Sequence, residues 1–250
     1  MATSTREVTH IAILEGVVVL PTVVVEHAEP RKLEHDDREI DLKRLCEACE
    51  KLPWSVHAPE RRCVCSGFNL DLGSSDHPQK GFLGMDRRDL PNVSFVWDVE
   101  SVAEPPFWAQ QQFGAKPMPW PFPNDCVDKL LASHLLEHIT PAASIAVFNE
   151  MWRVMKHNGQ ALIVVPHGDS FGFRQDPTHI AMFNEATWAY LDPADPSHLW
   201  TVYKPLPWKI ARMHSSPQHS IEVVLEPRKK ADGSVVDITI ERPKKTRRRK

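Results

Sequence analysis

The sequence predicts an α/β protein: a mostly parallel sheet with helices on both faces and a C-terminal antiparallel hairpin, preceded by a small β- and cysteine-rich segment. Three observations carry this expectation. Four short apolar runs, Phe68–Gly73, Phe82–Asp86, Val93–Asp98 and Val127–His134, lie close together, and acidic residues stand in or just after the first three. Beyond them, a stretch of helical periodicity alternates with another apolar run. Two β-rich stretches, Trp208–Met213 and Ser220–Glu226, then read as a closing antiparallel pair. Strands alternating with helices bury both faces of a parallel sheet.

Taken in order, residues 1–66 form an N-terminal segment. Ile11–Leu14 and Val17–Val25, split by Glu15-Gly16, read as a hairpin. Val17–Val25 is interrupted by Pro21 and lacks a basic start and a small-residue cleavage site, which favours a strand pair over a signal peptide. A charged stretch, Glu29–Glu39, leads into a short helix over Asp41–Cys49 with Leu42, Leu45 and Cys49 on one face.

Residues 67–226 form the main domain. Thr140-Pro141 is a helix start, with Thr as N-cap and Pro in the first turn. Ile145, Phe148, Trp152 and Met155 continue that helix to a stop at Asn158-Gly159. Gln160–Val165 reads as a fifth strand ended by Pro166, and Asn184 caps a short helix to Leu191. Glu104–Pro123 holds six prolines and five aromatics, a composition that forbids regular helix or strand. It is expected as a packed flap beside a ligand crevice.

Composition excludes little. A 250-residue chain with 42% hydrophobic and 25% charged residues is ordinary for a globular protein. No apolar run is long enough for a bilayer span, so no transmembrane helix and no membrane partner are expected, and cytoplasmic residence is the default. The net charge of −3 hides an asymmetry: Arg228–Lys250 carries ten Lys or Arg against three Asp or Glu, so that stretch is +7 and the remainder −10. Residues 227–250 are read as a basic tail ending in Lys244-Lys245-Thr246-Arg247-Arg248-Arg249-Lys250. Such a block binds phosphates by counterion release, which allows weak nucleic-acid contact. The acidic body and the lack of interleaved aromatics favour a solvated tail.

The ordered motifs are more specific. They run Leu70-Asp71-Leu72-Gly73-Ser74-Ser75, Gly81-Phe82-Leu83-Gly84-Met85-Asp86, Trp120-Pro121-Phe122-Pro123-Asn124-Asp125, Ser133-His134-Leu135-Leu136-Glu137-His138 and Trp152–Gly159. Over about residues 68–226 this series resembles the class I S-adenosylmethionine-dependent methyltransferases, and is most similar to the methyltransferase type 11 branch. The resemblance implies a Rossmann-like fold, S-adenosylmethionine as cofactor, and methyl transfer to an O, N or C acceptor of unidentified class.

For such a cofactor, Asp71, Gly73 and Ser74 suit the methionine end and nearby sugar. Asp86 suits the ribose hydroxyls, since a charged acceptor makes strong, selective hydrogen bonds. Asp98 suits the adenine amino group, and Ser133 and His134 stand near the reactive methyl. Each aspartate alone would be an ordinary strand-ending residue; three at successive strand ends around Gly73 favour the cofactor. One departure is Ser74-Ser75 where the branch has glycine. Only twelve residues separate Gly73 from Asp86, too few for the usual helix.

Asp176-Pro177-Thr178-His179 follows the fifth strand and borders an expected acceptor pocket. His134, Asp176 or His179 there could take a proton from the acceptor; equally, Asp176 and Thr178 could cap a helix on which His179 packs. Cys46, Cys49, Cys63 and Cys65 form a candidate zinc site with His57 as a spare ligand, although Cys63-x-Cys65 is tight for a zinc knuckle and Cys46 and Cys49 also suit the buried face of a helix. Cys126 reads as core and Asp128 as structural.

Ser-His-Leu-Leu after the fourth strand lacks the Asn/Asp-Pro-Pro-Tyr/Phe signature of amino-directed DNA methyltransferases, and there is no Pro-Cys nucleophile. The rival reading is a non-catalytic protein of the same fold that docks on nucleic acid through its tail.

Overall fold

Seven strands form one sheet in the order β3-β2-β1-β4-β5-β7-β6. They are β1 (Phe68–Leu72), β2 (Leu83–Asp86), β3 (Val93–Val96), β4 (Val127–Ser133), β5 (Met155–Pro166), β6 (Trp208–Ser215) and β7 (Ser220–Pro227). The first five run parallel; β7 is antiparallel to both β5 and β6. The arrangement is Rossmann-like with a C-terminal hairpin, as the sequence predicts. This computed structural model describes residues 47–58, 61 and 63–237. The expected hairpin at 11–25, the start of the helix expected over 41–49, Cys46 and the basic block 244–250 lie outside the described residues.

The helices among the described residues are α1 (Glu47–Glu50), α2 (Phe107–Phe113), α3 (Pro141–Val154), α4 (Phe171–Gln175), α5 (Glu185–Trp188) and α6 (Trp200–Tyr203). No helix of the described residues is long and apolar enough to cross a membrane. β1 is central, with Leu70 paired to Leu83 on one side and Leu130 on the other. Leu70, Leu72, Met85, Phe95, Leu130 and Ile163 are all fully or almost fully buried. Such near-continuous burial is what parallel strands covered on both faces require. Cys49, Trp54 and Val64 share this core, with the Trp54 ring 4.4 Å from that of Phe95.

Three local expectations need correction. α3 stops at Val154 and passes directly into β5 at Met155, so Asn158-Gly159 lies within the strand and ends nothing. The helix can end without a glycine because its last carbonyls already have donors. Asp125 N–H reaches Arg153 O at 3.1 Å and Cys126 N–H reaches Val154 O at 2.9 Å, while Lys229 Nζ donates to the carbonyls of Trp152 and Met155. Thr140 occupies the N-cap position of α3 but makes no side-chain cap bond; its N–H and Oγ1 both donate to Glu100 Oε1.

The proline-rich stretch also holds a helix. Residues 107–113 are free of proline, and Pro105-Pro106 precedes rather than interrupts α2, which Gly114 closes in the left-handed region at φ 63°. Of the segment after it, Lys116–Pro119 are exposed and two aromatics anchor it to the core, and none of its residues is among those lining the crevice described below. Trp120 and Phe122 are buried, and Arg153 donates to Trp120 O, Phe122 O and Asn124 Oδ1. Glu150, buried on α3, pairs with Arg153 and accepts from Trp120 N–H at 2.6 Å.

Candidate functional site

The strand order reverses between β1 and β4, because β2 and β3 lie on one side of β1 and β4 on the other. A crevice at the carboxyl ends of strands is the expected ligand site at such a reversal. One is present there, with a volume of about 500 Å³, walled by Gly73, Asp86, Arg88, Trp97, Asp98 and His134 among others.

Gly73 follows β1 with φ +65°, and a Cβ there would lie 2.8 Å from Leu135 Cδ1. Only glycine fits both this conformation and this contact. No helix joins β1 to β2, in keeping with the short spacing. Ser74 is buried; a Cβ added to Gly84 would sit 2.4 Å from its Oγ, so the serine fills the space that the glycine leaves on β2. Ser75 takes φ 50°, and its N–H donates to Asp86 Oδ2 at 3.0 Å.

The aspartates occupy different environments. Asp86 ends β2 at the crevice wall. Burial would raise its pKa, but the Arg88 guanidinium and the N–H groups of Arg88 and Ser75 outweigh this and hold it below the usual carboxylate range. Asp98 is exposed at the crevice and accepts from Glu100 N–H at 2.9 Å. Asp71 is 5% exposed, and its Oδ2 accepts from Gln79 N–H at 2.7 Å, tying down the loop after β1. Burial pushes its carboxyl up to about 7, against the opposing pull of that N–H. Asp71, Ser74 and Ser133 are not among the crevice's lining residues. Ser133 closes β4 in register with Val164.

The three candidate proton-handling residues come together. His134, Asp176 and His179 line a second cavity of about 440 Å³, together with His138, Gln175 and His219. His134 and His138 wall both spaces. His134 has φ 52°, and its Nδ1 lies 3.1 Å from Oε1 of the buried Glu137, which raises the imidazole's pKa. Asp176 accepts from Thr178 N–H and Oγ1, and these bonds lower its pKa. His179 Nδ1 lies 2.9 Å from Phe173 O. The Asp176–Thr178 bonds close a turn and start no helix, since the next helix begins at Glu185 under Asn184; the expected cap is not formed, while His179 lines the cavity.

Among the cysteines, Cys49 Sγ lies 3.7 Å from Cys63 Sγ and 3.3 Å from Cys65 Sγ. Cys126 is buried, and burial pushes its thiol up to about 12. Asp128 pairs with Lys156 at 2.7 Å, the structural role expected of it. Sequence reasoning gave no role to Arg88 or Glu137. Arg87-Arg88 directly after Asp86 was a signal for the first; the second stands in the Ser133–His138 motif as Glu137-His138.

No protein-family model matches this sequence, and no curated protein does. Solved structures with a similar fold include S-adenosylmethionine-dependent methyltransferases. One from Archaeoglobus fulgidus is 14% identical, with 65% of this chain and 88% of that one covered and a TM-score of 0.41. One from Aquifex aeolicus is 12% identical, with 64% and 81% covered and a TM-score of 0.38. The 1,6-didemethyltoxoflavin-N1-methyltransferase of Burkholderia thailandensis, solved with 1,6-didemethyltoxoflavin and S-adenosylhomocysteine, is 12% identical, with 64% and 70% covered and a TM-score of 0.42. At these distances the chemistry has to be read from the crevice.

Proposed function

We propose that the chain is a methyltransferase that binds S-adenosylmethionine in the crevice between β1 and β4 and takes its acceptor from the adjoining cavity. The observation that carries this reading is the convergence of Gly73, Asp86, Asp98 and His134 on one crevice at the strand-order reversal. The residues fit the group. Gly73 brings bare backbone to the rim. Asp86 offers a carboxylate to a ribose diol, with Arg88 turning aside. Asp98 offers an acceptor to an adenine amino group. The crevice lies within the range of about 300–1,000 Å³ usual for small-molecule sites.

When bound, the cofactor supplies an electrophilic methyl group on a sulfonium. The chain's own part is chiefly positioning, since holding two reactants in line removes much of the barrier. His134 stands at the boundary of crevice and cavity, and Asp176 and His179 border the acceptor side. The acceptor is an O, N or C nucleophile small enough, or with a group small enough, to enter the cavity.

We also assign the Cys49, Cys63 and Cys65 cluster to a structural zinc ion; in the sequence, Cys46 is a further thiol of the kind such a site uses. Thiolates gathered this closely suit tetrahedral zinc. Metal analysis of purified protein, before and after exchange of Cys63 and Cys65 for serine, tests it.

Calorimetry with S-adenosylhomocysteine tests the main reading. Binding should weaken roughly 10- to 100-fold in Asp86→Asn, the usual worth of a hydrogen bond to a charged group. Absence of binding by the folded wild type, with salt-sensitive nucleic-acid binding in its place, would favour the non-catalytic rival.

A further inference from the structure

Glu137 is 0% exposed, yet its Oε2 has no hydrogen-bond partner among the described residues. A buried, unpaired carboxylate oxygen is costly, and such a group normally pairs with a cation or coordinates a metal. Its other oxygen is occupied by His134. Glu137 thus has one side-chain hydrogen bond among the described residues for two buried oxygens.

Two further imidazoles stand close to the same carboxylate. Glu137, His138 and His179 each offer a donor atom within 4.8 Å of the others. Both histidines are held with one nitrogen committed. His179 Nδ1 donates to Phe173 O at 2.9 Å, so that in the neutral ring the lone pair is on Nε2, 3.9 Å from Glu137 Oε1. Thr178 Oγ1 gives its own proton to Asp176 and so acts as acceptor for His138 Nδ1 at 3.0 Å. His138 Nε2 is again the nitrogen left with a lone pair. A ring N–H fixed by a protein oxygen, with the opposite nitrogen bare, is the usual setting of a metal-bound histidine. Asp176 Oδ2, 3.7 Å from His179 Nε2, lies at the edge of the group.

We propose that Glu137, His138 and His179 form a binding site for a divalent first-row transition metal ion. Two imidazoles and one carboxylate match the donor set of Mn²⁺, Fe²⁺ or Zn²⁺ better than that of Mg²⁺ or Ca²⁺, which prefer oxygen alone. Bonds of about 2.1 Å place donors up to roughly 4.2 Å apart, so small side-chain rotations close the cluster onto an ion. Three protein ligands leave coordination positions open, and the site adjoins the cavity walled by Asp176, Gln175 and His219. Resting on the methyltransferase reading, those positions take an oxygen donor of the acceptor, such as a hydroxyl group or an adjacent hydroxyl pair. The acceptor class is thereby narrowed to one that can coordinate a metal.

Metal-stripped full-length protein titrated with Mn²⁺, followed by calorimetry and by electron paramagnetic resonance, tests this. Mn²⁺ is chosen because the thiolates near Cys49 bind it poorly. The expected result is one equivalent bound, weakened at least ten-fold in His138→Ala and in Glu137→Gln, with circular dichroism unchanged. His138 is partly exposed, so its variant remains informative if Glu137→Gln fails to fold. No Mn²⁺ binding, or binding unaltered in His138→Ala, overturns the proposal. S-adenosylhomocysteine titrated into the same samples separates the two readings. Cofactor binding without Mn²⁺ binding sinks the metal site alone; Mn²⁺ binding without cofactor binding sinks the methyltransferase reading and leaves the metal site standing.

Discussion

Arg88 lies across the carboxylate of Asp86, with Nε 3.1 Å from Oδ1 and Nη2 3.3 Å from Oδ2. The two residues occupy the position where the proposed cofactor would place its ribose hydroxyls. Arg88 is largely exposed, so the ion pair is worth about 0.2–1 kcal/mol. Arg88→Ala should therefore tighten S-adenosylhomocysteine binding by roughly two- to five-fold in calorimetry at low salt, with the gain shrinking as salt rises. Weaker binding in the variant would mean that the guanidinium contacts the ligand instead of competing with it.

Asp71 gives the protein a pH dependence of definite sign. Its folded pKa is raised from 3.8 to about 7 by burial. The stabilising contribution of the protonated carboxyl is complete below the unfolded pKa and is lost as pH rises through the folded one, because the unfolded chain releases its proton first. The full loss is on the order of 4 kcal/mol, at about 1.36 kcal/mol per pKa unit. Urea midpoints at pH 5 and pH 8 should fall with pH in the wild type and much less in Asp71→Asn, which keeps an acceptor for Gln79 N–H. Equal slopes in the two proteins would contradict the assignment.

Lys229 is the stopper of the α3–β5 junction. Its Nζ is buried, donates to Asp125 Oδ1 and to the carbonyls of Trp152, Arg153 and Met155, and stands 4.0 Å from the centroid of the Trp152 ring. Burial lowers its pKa, opposed by Asp125. Lys229→Met keeps much of the volume but strands these acceptors, and should cost about 3–5 kcal/mol of stability by denaturant titration. A loss under about 1 kcal/mol would show that the carbonyls find water instead.

Ser74 and Gly84 should prove interchangeable as a pair but not singly. Gly84→Ala places a methyl group 2.4 Å from Ser74 Oγ and 3.1 Å from Pro78 Cβ. Overpacking of this kind costs roughly 1–3 kcal/mol. Adding Ser74→Gly should recover part of that loss. A double mutant cycle with no coupling would remove the steric account of why serine stands after Gly73.

The sheet was legible because its strands are short, apolar and regularly punctuated, and burial on both faces leaves few alternatives for such runs. Gly73, Asp86 and His134 were legible as crevice residues because they stand at strand ends. Tertiary partners were not legible. Nothing local announces that Asp71 faces Gln79, that Glu100 replaces the side-chain cap of Thr140, or that Lys229 ends α3 from 74 residues beyond Met155. Counting prolines over Glu104–Pro123 hid the proline-free window of α2. Glu137 escaped notice because isolation from partners is a property of three dimensions.

The direct passage of α3 into β5 leaves the polypeptide no slack at Val154–Met155. A loop would absorb an added residue; here an insertion must be taken up by the helix or the strand. A shift of one position along β5 exchanges its inward and outward side chains. Ala161, Ile163 and Val165, now fully buried on one face, would give way there to Gln160, Leu162 and Val164, of which Gln160 and Val164 are now only half-buried. Length at this joint is thus as strictly specified as chemistry is elsewhere, and drift by single-residue insertion is closed to it.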